Sequence, residues 1–275
     1  MTRRIAVCID DVGQHVAIHA AARELLAQRR VSALSAMVHG PVWRHAAALL
    51  HDAAGAADIG LHLDLSEPWG ERRFVRPWRR LVAEALLGRL DKQALREEIA
   101  AQIDAFERTL GRAPDFVDGH RHVHQLPGVR DVLVHELVRR YPSQRPWLRR
   151  TVPRETSTAK PWAVAALGAA GLDTLLRRFA IAHNRRLLGV YGFSESADRY
   201  RDRLVHWLAL AQDGDLLICH PANAGAAQGD PIAQARGVEH RVLCGPAFGE
   251  ALVAAGVEVA RMSTLVRRAP LMPER

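Results

Sequence analysis

Short apolar, β-branched runs alternate along this chain with longer stretches in which apolar residues recur every three or four positions. The runs Arg4–Ile9, Val31–Val38, Ala57–Leu61 and Asp215–Cys219 have the length and composition of buried strands. Val16–Gln28 carries Ala-rich and Leu-rich helical spacing. The clearest helix is Asp91–Leu110, where Leu95, Ile99, Ile103, Phe106 and Leu110 share one face. Asp91 can cap its first turn, and Gly111 can take the left-handed conformation that ends it. Strand–helix alternation predicts an α/β fold with a mostly parallel sheet covered by helices. A (β/α) barrel and a doubly wound open sheet both satisfy it, and both gather ligand-binding side chains at the carboxyl ends of their strands. No Gly/Ser/Pro-rich linker and no internal repeat divides residues 1–275, which predicts a single domain.

The polar residues at the strand ends carry the chemistry. The first run delivers Asp10 and Asp11, followed by the breaker Gly13, and two adjacent acids are expensive to bury unless paired or metal-bound. The third leads into His62 and the fourth into His220-Pro221. A further short apolar stretch ends in Val117-Asp118-Gly119-His120-Arg121-His122-Val123-His124. Histidine is the commonest metal ligand and the usual proton carrier near neutral pH. If the strand continued past Gly119, His120, His122 and His124 would share one face, whereas a surface loop would leave them solvated. Singly, each strand end has an ordinary explanation: a capping aspartate, a core histidine, a turn proline. Four together predict one shared site holding Asp10, Asp11, His62, His120 and His220.

These residues resemble a known family. Asp10-Asp11-Val12-Gly13, Gly60-Leu61-His62-Leu63, the histidine motif at 117–124 and Cys219-His220-Pro221-Ala222 are similar, in order and spacing, to the motifs of the YdjC-like carbohydrate deacetylases. The resemblance spans residue 4 to about residue 260. It implies a distorted (β/α) TIM-like barrel related to the polysaccharide deacetylases, and removal of acetyl groups from N-acetylated sugars with a divalent metal. It places the metal ligands on Asp11, His62 and His120, the general base on Asp10 and the general acid on His220. Arg149 falls where the family often has an arginine after a strand, a position from which it can orient Asp10. The chain departs from the family in Cys8-Ile9 and Val12 around the acids, and in Lys160–Arg186, which reads as a substrate-side insertion.

Metal-assisted amide hydrolysis needs a Lewis acid, a nucleophilic water, a base for its proton and an acid for the leaving amine. Asp11, His62 and His120 supply three ligands and leave positions open. Asp118, His122 and His124 are candidates for supporting the ligands or touching substrate; Asp118 also reads as a strand-end cap and the histidines as solvated loop residues. The resemblance favours Mg2+, while two imidazoles and a carboxylate equally suit Zn2+ or another transition metal. The expected activity is therefore metal-dependent deacetylation of an N-acetylated sugar or glycoconjugate, free or lipid-linked, releasing acetate. A metal-dependent phosphoesterase and a catalytically silent carbohydrate-binding barrel are the rival classes.

Composition adds partners and compartment. Three cysteines, Cys8, Cys219 and Cys244, argue against a disulfide framework and for a reducing compartment. Met1-Thr2-Arg3-Arg4 runs straight into the first strand without a signal-peptide pattern, which makes the cytosol the expected location. The formal charge of +8 comes almost wholly from arginine, and the densest cluster is Arg72, Arg73, Arg76, Arg79 and Arg80, interleaved with Trp69 and Trp78. Such a loop reads as a solvated face with aromatic anchors, or suits binding of anionic lipid headgroups or a sugar phosphate; nucleic acid is disfavoured because no recognition motif accompanies it. The apolar stretch 161–179 ends in arginines, and it reads as peripheral membrane contact, a buried helix or a lid. Oligomeric state is not legible.

Overall fold

The long strand β1 (Arg3–Val12) is the axis of the sheet, and it runs three residues beyond the predicted Ile9, so that Asp10 and Asp11 lie within it. In the computed structural model, which describes residues 2–154, 159–223 and 229–266, it is followed by α1 (Val16–Ala27), β2 (Ala33–Ala36), α2 (Trp43–Ala53), β3 (Asp58–Leu63), α3 (Trp78–Leu86), α4 (Lys92–Leu110), β4 (Phe116–Gly119), α5 (Val129–Arg140) and β5 (Trp147–Leu148). Then come α6 (Ala159–Ala166), α7 (Ala169–Arg178), β6 (Leu187–Leu188), α8 (Ala197–Leu210), β7 (Leu216–Cys219), α9 (Ala233–Cys244), α10 (Pro246–Ala254), β8 (Val257–Val259) and α11 (Met262–Val266). The predicted α4 forms as read: Asp91 accepts the backbone N–H groups of Gln93 and Ala94, and Gly111 ends the helix at φ 66°.

All described strand pairs are parallel, in the order β5-β4-β3-β2-β1-β7-β6, with β8 against the first residues of β1. The sheet curls until its two edges meet, and single bridges join Leu148 to His183 and Pro153 to Leu187 across that seam. The architecture is thus a curled, barrel-like α/β sheet rather than an open doubly wound one.

Side-chain alternation sorts each strand into two environments. Ile5, Val7 and Ile9 pack outward with helix residues such as Ile18 and Leu25. Ala6 and Cys8 face the enclosed side, with Ala33, Phe116, Trp147, Leu216 and Ile218. There the Phe116 and Trp147 rings stack at 4.3 Å, and Phe116 lies so close to Gly60 that a Cβ there would come within 2.4 Å of the ring. Only glycine fits that register. At the amino ends of the strands, α11 closes the enclosed side with Met262 and Leu265, while Ser263 donates its N–H and hydroxyl to Asp58. Toward the carboxyl ends the same interior row turns polar: Asp10, Ser35, His62, Asp118, Arg149 and His220.

One expectation needs correction, and one stretch read as a single helix is two. The strand at 116–119 stops at Gly119, and His120–Gln125 form a tight 3-10 turn in which Arg121 and His122 have φ of 51° and 59°. The three histidines therefore do not line one strand face. The apolar stretch 161–179 is two short helices that break at Gly168, where a Cβ would lie 2.1 Å from the Gln125 carbonyl oxygen. Its Pro161, Leu172, Leu175 and Leu176 are buried, and among the described residues no helix is long and apolar enough to cross a membrane.

Candidate metal centre and active site

Neighbouring residues in a regular strand point to opposite faces, so Asp10 and Asp11 cannot share a site without a distortion. The register of β1 against β2 shifts between Ile9 and Val12, and Asp11 adopts φ 65°. This bulge brings both buried carboxylates to the carboxyl end of the sheet.

Asp11 meets His62 and His120 there. Its Oδ1 lies 3.3 Å from His62 Nε2 and 2.9 Å from His120 Nδ1, and ligand atoms of the three residues all fall within 4.8 Å of one another. The far nitrogen of each imidazole faces another carboxylate: His62 Nδ1 is 2.6 Å from Asp118, and His120 Nε2 is 3.5 Å from Glu67. A carboxylate on the outer nitrogen fixes the tautomer and turns the inner lone pair toward a cation. Two imidazoles and one carboxylate so arranged fit a divalent ion. Burial opposes a proton on either ring, yet Asp118 and Asp10 push His62 up to about 10, and Asp11 pushes His120 up to about 9. Burial likewise raises Asp11, but the Arg236 and His120 charges outweigh it and hold the carboxyl well below its ordinary range.

Asp10 belongs to a second set. Arg149, fully buried just after β5, donates from both terminal nitrogens to Asp10, each at 2.6 Å, donates to the Cys8 sulfur and forms an ion pair with Asp118. Against the opposing effect of burial, Arg149 keeps Asp10 ionised far below the usual carboxylate range. Its guanidinium also fills the space among Cys8, Asp10 and Asp118, a group whose ligand atoms are close enough to attract a cation. His220 Nε2 stands 3.8 Å from Asp10 Oδ2, and burial pushes this imidazole down to about 4 despite the neighbouring acids.

His124 lies outside the ligand set: its Nε2–H donates to the Arg149 carbonyl at 2.9 Å, which braces the backbone that carries the guanidinium. His122 is pushed well below its ordinary value by burial and then by Arg149. The basic loop is largely neutralised by this chain's own acids. Arg72 pairs with Asp64 and Glu98, Arg73 with Glu97, and Arg76 and Arg80 with Glu84.

Four residues of the site escape sequence reasoning. Arg236 donates to Asp11 Oδ2 at 2.7 Å and to Gln14 at 2.9 Å. Glu239 accepts the His220 backbone N–H and the Tyr191 hydroxyl, and burial raises it to about 7. Ser35 sits between His62 and Asp118, at 2.9 and 2.5 Å, and Glu67 braces His120. One signal was available: Arg236 and Glu239 fall on the same α9 face as Ala235, Val238 and Leu243, so charges occupy apolar spacing.

A curled parallel α/β barrel with a carboxylate–imidazole centre at the carboxyl ends of its strands defines the class of this protein. The chain belongs to the YdjC-like protein family, whose family model matches residues 4–254. It is 33% identical over 151 residues to a human carbohydrate deacetylase, covering 49% of this chain and 45% of that protein. It is 33% identical over 138 residues to a chitooligosaccharide deacetylase of Serratia marcescens, covering 47% of this chain and 53% of the relative. The chain thus spans about half the length of the curated relatives it matches. Among solved structures, a putative cellobiose-phosphate cleavage protein from Enterococcus faecalis superposes with a TM-score of 0.70 at 19% identity, over 97% of this chain and 100% of that one. The CE4 domain of a termite-hindgut metagenomic xylanase superposes at 0.53 with 13% identity, over 98% and 91% of the two chains. At these identities the two structures bear on the fold alone.

Proposed function

We propose that this chain is a metal-dependent hydrolase that removes the acetyl group from an N-acetylated sugar or glycoconjugate. The observation that carries the reading is the shared geometry of His62 and His120. Each has a carboxylate on its outer nitrogen and the same Asp11 oxygen on its inner one. The deacetylase names of the curated relatives support the substrate class.

Asp11, His62 and His120 hold the ion, which when bound supplies a Lewis acid for the acyl oxygen and acidifies a water. Asp10 Oδ2 accepts the proton of the attacking water, and Arg149 keeps that carboxylate ionised and aimed. A carboxylate held this low is a weak base, so the proton does not rest on it. His220 Nε2, neutral near neutral pH and 3.8 Å away, takes the proton on and delivers it to the amide nitrogen as the C–N bond breaks. Acetate and the free amine leave. Asp118, Ser35 and Glu67 orient the two histidines, and Arg236 fixes the outer oxygen of Asp11.

Acetate release tests this reading, measured on N-acetylglucosamine oligosaccharides and glycolipids with metal-stripped protein reloaded separately with Mg2+ and Zn2+. Metal-restored release supports it, and the preferred ion and substrate arm assign the metal and any lipid carrier. No release with metal confirmed bound overturns it, and phosphatase activity in its place selects the phosphoesterase.

A further inference from the structure

A second group of metal-ligating side chains lies on the outer helices. His240 and Cys244 are four residues apart on α9, which puts them on one face in its last turns, and Glu24 meets them from the last turns of α1. Helices of a parallel barrel run back against the strands, so these carboxyl-terminal turns lie at the end of the barrel away from Asp11. His240 Nε2 is 2.9 Å from Glu24 Oε2, Cys244 Sγ is 3.8 Å from the same oxygen, and one ligand atom from each residue falls within 4.8 Å of the other two.

In the absence of an ion Glu24 Oε2 takes both contacts, pairing with His240 and accepting from the Cys244 thiol. The neighbouring Arg30 is engaged elsewhere, donating its N–H groups to the Leu243 and Gly245 carbonyls, at 3.1 and 2.7 Å. A divalent ion would replace the thiol proton, since it favours the thiolate and is neutralised by thiolate and carboxylate together. The donors are one sulfur, one nitrogen and one oxygen, a set that selects zinc-like ions over magnesium. Glu24 is half exposed, which leaves room for water as a fourth ligand.

We propose that Glu24, His240 and Cys244 form a second metal site, taking a thiophilic first-row divalent ion such as zinc, that clips α1 to α9. The clip has a mechanical meaning, because α9 also carries Arg236 and Glu239, which reach Asp11 and His220.

Cobalt is the probe. The reduced, metal-stripped full chain is titrated with Co2+ and the thiolate-to-cobalt charge-transfer absorption is followed. One thiolate-bound cobalt per chain is expected, displaced by zinc, lost in Cys244→Ser and at least about tenfold weaker in His240→Ala. The band should persist in His120→Ala, and zinc should raise the Tm of that variant by a few degrees while leaving the Cys244→Ser/His120→Ala double variant unmoved. No charge-transfer band at cobalt excess overturns the site. A band that survives Cys244→Ser overturns it as well, by assigning the thiolate to Cys8 or Cys219.

Discussion

His120 and His122 are two residues apart and mostly buried, yet they sit on opposite sides of neutrality. His120 has Asp11 on one nitrogen and Glu67 near the other, and it is pushed up to about 9. His122 faces Arg149 instead and is pushed well below its ordinary value, with a buried Nδ1 that has no hydrogen-bond partner among the described residues. Burial is common to both, so the sign of the neighbouring charge separates them. Distance, not sign, divides His62 from His220: acids neighbour both, but carboxylates reach the His62 nitrogens at 3.3 and 2.6 Å and stand off those of His220 at 3.8 and 4.0 Å, where burial prevails, as it also does at His124. Imidazoles with carboxylates close against both nitrogens are the candidates to hold a cation.

The sharpest way to break this comparison is to remove one member of the poised pair. His120→Ala should lose both the divalent ion held at Asp11 and turnover, read by metal analysis after dialysis in a Cys244→Ser background and by acetate release. Asp10→Asn should retain the metal while kcat falls by about 10²–10⁴; an emptied site in that variant would mean that the two acids have exchanged roles. A smaller effect is expected one step out. Asp118→Asn keeps the shape but removes the charge behind His62, and metal affinity should fall about 10–100-fold. If affinity is unchanged, the outer carboxylate does not make the distinction.

The neutral class offers a pH test at a histidine outside the candidate ligand set. His19 accepts the Gly13 N–H through Nε2, and burial, then Arg23, pushes it down to about 4. Its folded value lies below its unfolded one, so the unfolded chain takes up the proton first. Stability should be full above about pH 6.5 and decline as pH falls toward 4. His19→Gln should flatten that decline by a few degrees of Tm, measured between pH 7 and 4.5. Smallest of all, His124→Gln should leave metal affinity where it is, because His124 touches the Arg149 carbonyl rather than the ligands.

Much of this arrangement was legible along the chain, and the failures share a cause. The strands β1, β2, β3, β4 and β7, α4 with both its caps, and the gathering of Asp10, Asp11, His62, His120 and His220 follow from local periodicity and from polar groups at strand ends. Periodicity misleads where the backbone leaves its regular form. A period of two sends Asp10 and Asp11 to opposite faces and lines up His120, His122 and His124. A left-handed Asp11 and the left-handed pair Arg121 and His122 reverse both outcomes. Long-range pairing is the other blind spot. Arg236 reads as one more surface arginine until Asp11, 225 residues away, is placed beside it. The cluster at 72–80 reads as a basic patch until Asp64, Glu84, Glu97 and Glu98 fold against it.

The bulge in β1 has a consequence for how this barrel can move. Asp10 and Asp11 are joined by one peptide unit, so their Cα atoms keep a fixed spacing of about 3.8 Å whatever the sheet does. Arg149 and His220, by contrast, arrive on chain segments next to β5 and β7, on either side of the seam where the two edges of the sheet meet. Breathing of that seam would alter how the first carboxylate is held between Arg149 and His220. It would leave unchanged the spacing of the two Cα atoms, which is a matter of bond lengths rather than of packing.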